Sequence, residues 1–348
     1  MAQVRPGSGN DVDSAELLPE TYAWGILQVS GDLPMKTIVV AIVLSTALSC
    51  GKKTEATKVT DTRPSAIEKM DGTKTAPPSD PKRIVIQDVG FETPESIVHD
   101  PIADLYLVSN INGSPLEADG NGFISRINPN GQVKELKWID GDAAGIVLNA
   151  PKGMALFGDT LYVADIDKVR RFDRDTGAPK GTISIYGATF LNGMAAGPDG
   201  TVYVSDSGIT TDFRPSGSDA IYALKDQEIR PVIKDPTLGR PNGLVVDGDT
   251  LWCVTFRSGE LFSVTTDGIK GPSRKMPKGS LDGLIQLPDG RLLFSSWGGS
   301  AIYAGTPTGR FRTIFLHLPN AADIGFDTRR NRVLIPLFNV NRVELRKL

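Results

Sequence analysis

Six residues recur at one position of a repeated segment, and four of them carry oxygen atoms that could hold a cation. The segments are PESIVHDPIADLYLVSN (94–110), PKGMALFGDTLYVADID (151–167), LNGMAAGPDGTVYVSDS (191–207), PNGLVVDGDTLWCVTFR (241–257), LDGLIQLPDGRLLFSSW (281–297) and AADIGFDTRRNRVLIPLF (321–338). Their second residues are Glu95, Lys152, Asn192, Asn242, Asp282 and Ala322. One Glu, one Asp and two Asn make a hard, oxygen-rich set suited to Ca²⁺, Mg²⁺ or Mn²⁺, or to Zn²⁺ at higher affinity. Its two carboxylates match the charge of one divalent ion. Taken singly, Asn-Gly and Asp-Gly are ordinary turn dipeptides. Their recurrence at one repeat position is what argues for a site. Lys152 would contact a substrate carboxylate or offset Glu95 and Asp282.

For these side chains to meet, the repeats must close around an axis. The head residues are spaced by 57, 40, 50, 40 and 40 positions. That period fits one four-stranded propeller blade each. Within each unit a short apolar strand leads into a turn such as Pro198-Asp199-Gly200 or Pro288-Asp289-Gly290. A second β-rich strand follows, such as Thr201-Val202-Tyr203-Val204, in the manner of a hairpin. The fold is predicted to be all-β, a six-bladed β-propeller of four-stranded blades over 83–348. Arg83 to Val89 supplies the outer strand that closes the ring with the last blade, which removes exposed edges. In this arrangement each head residue faces the central channel. The ends of the second strands reach the same face at Asn110, Asp165, Asp206, Arg257 and Trp297. Substrate selection is expected there, at Lys152, and in the connections 111–122 and 208–218.

Composition narrows the chemistry. The 348 residues carry 38 Lys plus Arg and 41 Asp plus Glu, a net charge of −3, which gives no electrostatic case for nucleic acid. Two His exclude a three-His metal site, and two Cys exclude a disulfide scaffold or a Cys-rich zinc site. No Gly-x-Ser-x-Gly elbow supports a nucleophilic serine. His99 reads as a turn or packing residue and His317 as part of a strand, neither with a role in chemistry.

The N-terminal region reads as targeting and tether. Thr37 to Leu48 is apolar, too short to span a bilayer, and follows Met35-Lys36. Ala47-Leu48-Ser49-Cys50 resembles a bacterial lipoprotein signal, which implies lipidation of Cys50 at a mature N-terminus. Residues 35–50 are then the signal, and 1–34 a gene-model extension with translation starting at Met35. Residues 51–82 contain no aromatic residue and carry Pro at 64, 77, 78 and 81. Such a segment reads as a disordered linker. The expectation is a monomer, lipid-anchored to a bacterial membrane, on the periplasmic or extracellular face of the envelope.

The region 90–348 resembles the regucalcin/gluconolactonase-like family of six-bladed propellers. The likeness rests on Pro94-Glu95-Ser96, Asn192-Gly193, Asn242-Gly243 and Asp282-Gly283. It implies that Glu95, Asn192, Asn242 and Asp282 hold one divalent metal in the channel. It also implies hydrolysis of a small-molecule lactone or ester, with Asp282 as both metal ligand and general base. The family's lactonases often carry an Arg two residues before the blade-three Asn. Phe190 stands there in this chain, which points away from a sugar lactone and leaves room for a more apolar ring. The alternative is a non-catalytic propeller of the NHL type, binding a ligand or protein partner on its face.

Overall fold

The computed structural model describes residues 81–348 apart from Gln227. The expected extension, the signal, Cys50 and most of the linker lie outside the described residues. Strand β1 (Arg83–Ile86) comes first in the chain. Blade one is β2 (Pro94–Asp100), β3 (Leu105–Asn110), β4 (Phe123–Ile127) and β5 (Val133–Asp140). Blade two is β6 (Pro151–Phe157), β7 (Thr160–Asp165), β8 (Lys168–Asp173) and β9 (Pro179–Ser184). Blade three is β10 (Leu191–Ala196), β11 (Val202–Asp206), β12 (Ala220–Lys225) and β13 (Glu228–Lys234). Blade four is β14 (Pro241–Asp247), β15 (Thr250–Thr255), β16 (Glu260–Thr265) and β17 (Arg274–Lys275). Blade five is β18 (Leu281–Gln286), β19 (Leu292–Ser296), β20 (Ala301–Gly305) and β21 (Arg312–Leu316). Blade six is β22 (Gly325–Asp327), β23 (Arg332–Leu337), β24 (Arg342–Lys347) and, outermost, β1. The six-bladed all-β expectation is met, with four antiparallel strands in every blade.

Local chemistry explains the strands. Gly200 and Gly290 take φ of 85° and 80° in the Asp-Gly hairpins, a region costly for other residues. Six apolar clusters sit at the six junctions between neighbouring blades, as where Tyr203 and Ile221 of blade three meet Leu244 and Phe262 of blade four. Each blade therefore buries both faces against its neighbours. His317 follows the end of β21, with φ of 61°, and is exposed rather than part of a strand. His99 lies on β2 beside the β2–β3 hairpin, with Nε2 3.1 Å from Asp104.

Closure joins the two ends of the domain. Ile84 pairs with Leu345 and Ile86 with Val343, and Arg83 makes two hydrogen bonds to the buried Glu344 carboxylate. Ile86 is buried in the cluster shared by blades six and one. A chain lacking residues 1–82 should therefore melt cooperatively. A chain lacking 1–89 should melt lower by roughly 5 °C or more, since losing one buried Ile alone costs about 2–5 kcal/mol. Equal melting temperatures in the two chains would mean that β1 does not seal the ring.

Candidate active site at the channel mouth

The inner strands of blades one to five each open with a bulge. Leu191 pairs with Asp206, but pairing resumes only at Met194 with Val204, so Asn192 and Gly193 face one residue of the partner strand. The same one-residue shift frees Glu95-Ser96, Lys152-Gly153, Asn242-Gly243 and Asp282-Gly283. A bulge re-aims the side chain it carries. Here it releases the head residue from the ladder.

The glycines after the heads answer to crowding. A Cβ on Gly153 would lie 2.3 Å from the Asn192 carbonyl oxygen, and one on Gly193 2.4 Å from that of Asn242. One on Gly243 would lie 2.4 Å from the Asp282 oxygen. The heads are thus stacked backbone to backbone around the axis, and only hydrogen fits between them.

Blade six breaks the pattern. Ala321 bridges Leu337, which puts Ala322 at the head position and Asp323 where the other blades carry Gly or Ser. The Asp323 amide donates to the Glu95 carbonyl at 2.8 Å, and its Oδ2 accepts from Ser96 Oγ at 2.6 Å. Asp323 is a channel carboxylate that sequence reasoning missed, because the acid sits one residue past the repeat position.

The head oxygens are poised but unsatisfied. Asn192 donates Nδ2 to Ser207 Oγ at 3.1 Å, and Asn242 donates Nδ2 to Asp282 Oδ1 at 3.2 Å. With their nitrogens committed, Asn192 Oδ1 and Asn242 Oδ1 are buried without a hydrogen-bond partner, as is Glu95 Oε2. Buried acceptors left unpaired are costly and rare. Three of them beside the Asp282 carboxylate fit the donor set of a hard cation. Among the described residues no three His, Cys, Asp or Glu side chains group as a metal site of those types alone. The amides are integral to the set.

The electrostatics carry the same demand. Burial, followed by the charges of Asp282 and Asp323, raises Glu95 well above the usual carboxylate range, with Lys152 opposing. Burial and Asp323 raise Asp282 likewise, while hydrogen bonds from Trp297 and Asn242 pull it back. Burial pushes Asp323 up to about 7, with the Ser96 hydrogen bond opposing. Burial lowers Lys152 to about 8 against the pull of Asp165 and Glu95. Three carboxyls and one ammonium replace the two carboxylates counted from sequence, and only with all three ionised does their net charge match a divalent ion.

The residues expected to select substrate divide into two groups. Asn110 and Asp206 are fully buried and work as scaffold. Asn110 accepts from the Glu92 amide and donates to Val108 O and Ser125 Oγ. Asp206 Oδ1 accepts from the Phe190 and Gly208 amides at 2.9 and 3.0 Å, which fixes the turns on either side of blade three. Lys152 donates to the Ala150 carbonyl and sits 4.4 Å above the Phe190 ring. Arg257 is exposed. Register shows why it aligned poorly. Asn110, Asp165 and Asp206 pair with the first residue of their inner strands, and in blades four and five that partner is Thr255 and Ser296. Trp297 stands one step beyond, packed against Phe256 and Phe338 at centroid distances of 5.5 and 5.4 Å. A shallow groove of about 550 Å³ between blades three and four, lined by Asp199, Tyr203, Arg230 and Asp249, opens at the hairpin end instead.

Comparison with known proteins identifies the architecture. No protein-family model and no curated protein matches the chain. Among solved structures, a gluconolactonase from Xanthomonas campestris superposes with a TM-score of 0.57 at 18% identity, covering 73% of this chain and 86% of that one. A streptogramin B lyase gives 0.56 at 11% identity over 76% and 97%. A virginiamycin B lyase from Staphylococcus aureus gives 0.54 at 16% identity over 77% and 99%. At these identities the likeness is one of fold.

Proposed function

We propose that this protein is a divalent-metal-dependent hydrolase of lactones or related esters, acting at the channel mouth. The observation that carries the reading is the trio of buried, partnerless oxygens on Glu95, Asn192 and Asn242 beside Asp282. These four residues would hold the ion. A bound divalent ion would polarise the ester carbonyl and lower the pKa of water. Asp282, the head carboxylate held by Asn242 and Trp297, receives the proton of the attacking water, which the two amides cannot. Asp323 raises the proton affinity of Asp282 through its charge. Trp297 and Asn242 hold the Asp282 carboxylate in place by hydrogen bonds.

Lyase neighbours raise a second possibility, and the histidines argue against it. One neighbouring virginiamycin B lyase is described as catalytically inactive when a histidine is replaced. Here His99 is engaged with Asp104 beside a hairpin, and His317 is exposed at the end of blade five. The gluconolactonase neighbour supports the hydrolase reading, and the run ending at Cys50 supports its place on a lipid anchor in a bacterial envelope.

Calorimetric titration of the metal-stripped protein with Ca²⁺, Mg²⁺, Mn²⁺ and Zn²⁺ tests the centre. One ion should bind per chain. Glu95→Gln and Asn242→Ala should weaken binding by tenfold or more, and Asp199→Asn, in the far hairpin of blade three, should leave it unchanged. Absence of binding in the wild type would remove the metal-dependent reading and leave a binding propeller.

A further inference from the structure

Six of the seven apolar clusters seal blade against blade, and the seventh does not. It gathers Ile111, Ala150, Ala322 and Phe338, with Ile166 and Trp297 packed on it, from blades one, two, five and six. Ala150 and Ala322 come from just before inner strands, and Ile111, Ile166, Trp297 and Phe338 from the step after their second strands. That position holds Ile111, Ile166, Ser207, Phe256, Trp297 and Phe338 in blades one to six. All are apolar except Ser207, which is spent on Asn192 and the Pro241 carbonyl. The collar touches the heads directly, through Trp297 to Asp282 and Ser207 to Asn192. Ile111 and Phe338 are buried behind it, while Ile166, Phe256 and Trp297 keep part of their surface open.

Ile166 gives independent weight. It holds φ of 57°, a conformation strained for a β-branched side chain and natural for glycine. Backbone strain of this kind gathers at functional positions. Lys152, nearby, is committed to the Ala150 carbonyl and lies over the Phe190 ring.

We propose that the substrate of this site carries a flat apolar ring, seated on Ile166, Phe256 and Trp297, with its ester carbonyl directed down at the four head residues. The inference rests on the hydrolase reading and names its substrate class as an aryl or alkyl-ring lactone rather than a polyhydroxylated one.

Two δ-lactones of equal ring size test it on the metal-loaded full chain, one fused to a benzene ring and one polyhydroxylated, glucono-δ-lactone. The wild type should favour the aryl lactone in kcat/KM by at least tenfold. Ile166→Gly, which relaxes the backbone and so keeps the fold, should raise KM for the aryl lactone about tenfold with kcat within twofold. Phe256→Ser should act in the same sense, and for both variants the loss on the aryl lactone should exceed that on the polyhydroxylated one by about fivefold or more. Equal losses on both substrates, or a wild type preferring the polyhydroxylated one, would overturn the apolar-ring assignment and leave the hydrolase reading standing. If neither lactone is hydrolysed, the hydrolase reading falls, and the collar is read by binding of the unreactive aryl lactam. Tryptophan quenching weakened about tenfold by Ile166→Gly sustains it, and no quenching overturns it.

Discussion

Asp282→Asn should lower lactone hydrolysis by about 10²–10⁴-fold and stay low at saturating divalent ion, the span a positioned general base contributes. The substitution keeps the shape and one acceptor oxygen but removes the only head carboxylate tied to both Asn242 and Trp297. Asn192→Ala should behave differently. It deletes a neutral oxygen whose nitrogen is anchored on Ser207, so it weakens ion affinity and should recover much of its rate in excess metal. The measurement is kcat for both variants across a metal titration. Recovery to the same degree would reduce Asp282 to a ligand and move the base elsewhere, with Asp323 next in line.

The second large effect concerns stability and pH in the metal-free protein. Glu95, Asp282 and Asp323 are all raised, first by burial and, for Glu95 and Asp282, then by neighbouring carboxylates. A carboxyl raised in the folded state binds its proton more tightly there than in the unfolded chain. It favours folding fully below its unfolded pKa, and that contribution is lost as pH rises through the folded value. For Asp323 the window runs from the ordinary Asp value to about 7, a contribution of roughly 4 kcal/mol. Lys152, lowered to about 8, stays mostly charged across this range. The carboxylates held low by arginines, Asp100 and Asp104 among them, are ionised in both states above about pH 5. In chelator, Tm should therefore fall by on the order of 5–10 °C between pH 5 and 7.5. Saturating divalent ion should abolish the fall, because it binds only the folded state and favours ionised carboxyls. A Tm that rises over this window in chelator, or falls equally with and without ion, would show that the three groups do not share one uncompensated site.

Much of this was readable in the repeats. Head residues stood out because Gly153, Gly193, Gly243 and Gly283 are forced by crowding, so the glycine after each head is a steric mark in the sequence. Glu95 was placed without that mark, since its blade carries Ser96 instead. Asp323 left no such trace. It occupies the crowded position itself, at the one junction where Ser96 offers it a hydrogen bond. The collar was only half legible. Trp297 was found at the end of its segment, but Phe256 was passed over for Arg257, because register at strand ends is set by pairing rather than by local composition. Phe338 lies in a short 3₁₀ turn outside any strand pattern. Asn110 and Asp206 matched the mouth by position, yet their capping of backbone amides depends on loops with no repeat.

The strand that seals the ring also sets a clock on the protein's birth. Arg83 and its partner Glu344 are 261 residues apart, so an early-made strand waits until the chain is almost finished. At about 5–20 residues per second, the ribosome leaves β1 and the open flank of blade one without partners for roughly 13–50 s. Pairings of such long range also fold slowly once they are available. The nascent chain therefore passes through a long-lived, edge-exposed state in which chaperones have time to engage it, and the proposed ion site stays open on one side until the chain is almost finished, since Glu95 meets Asp323 only across that last seam.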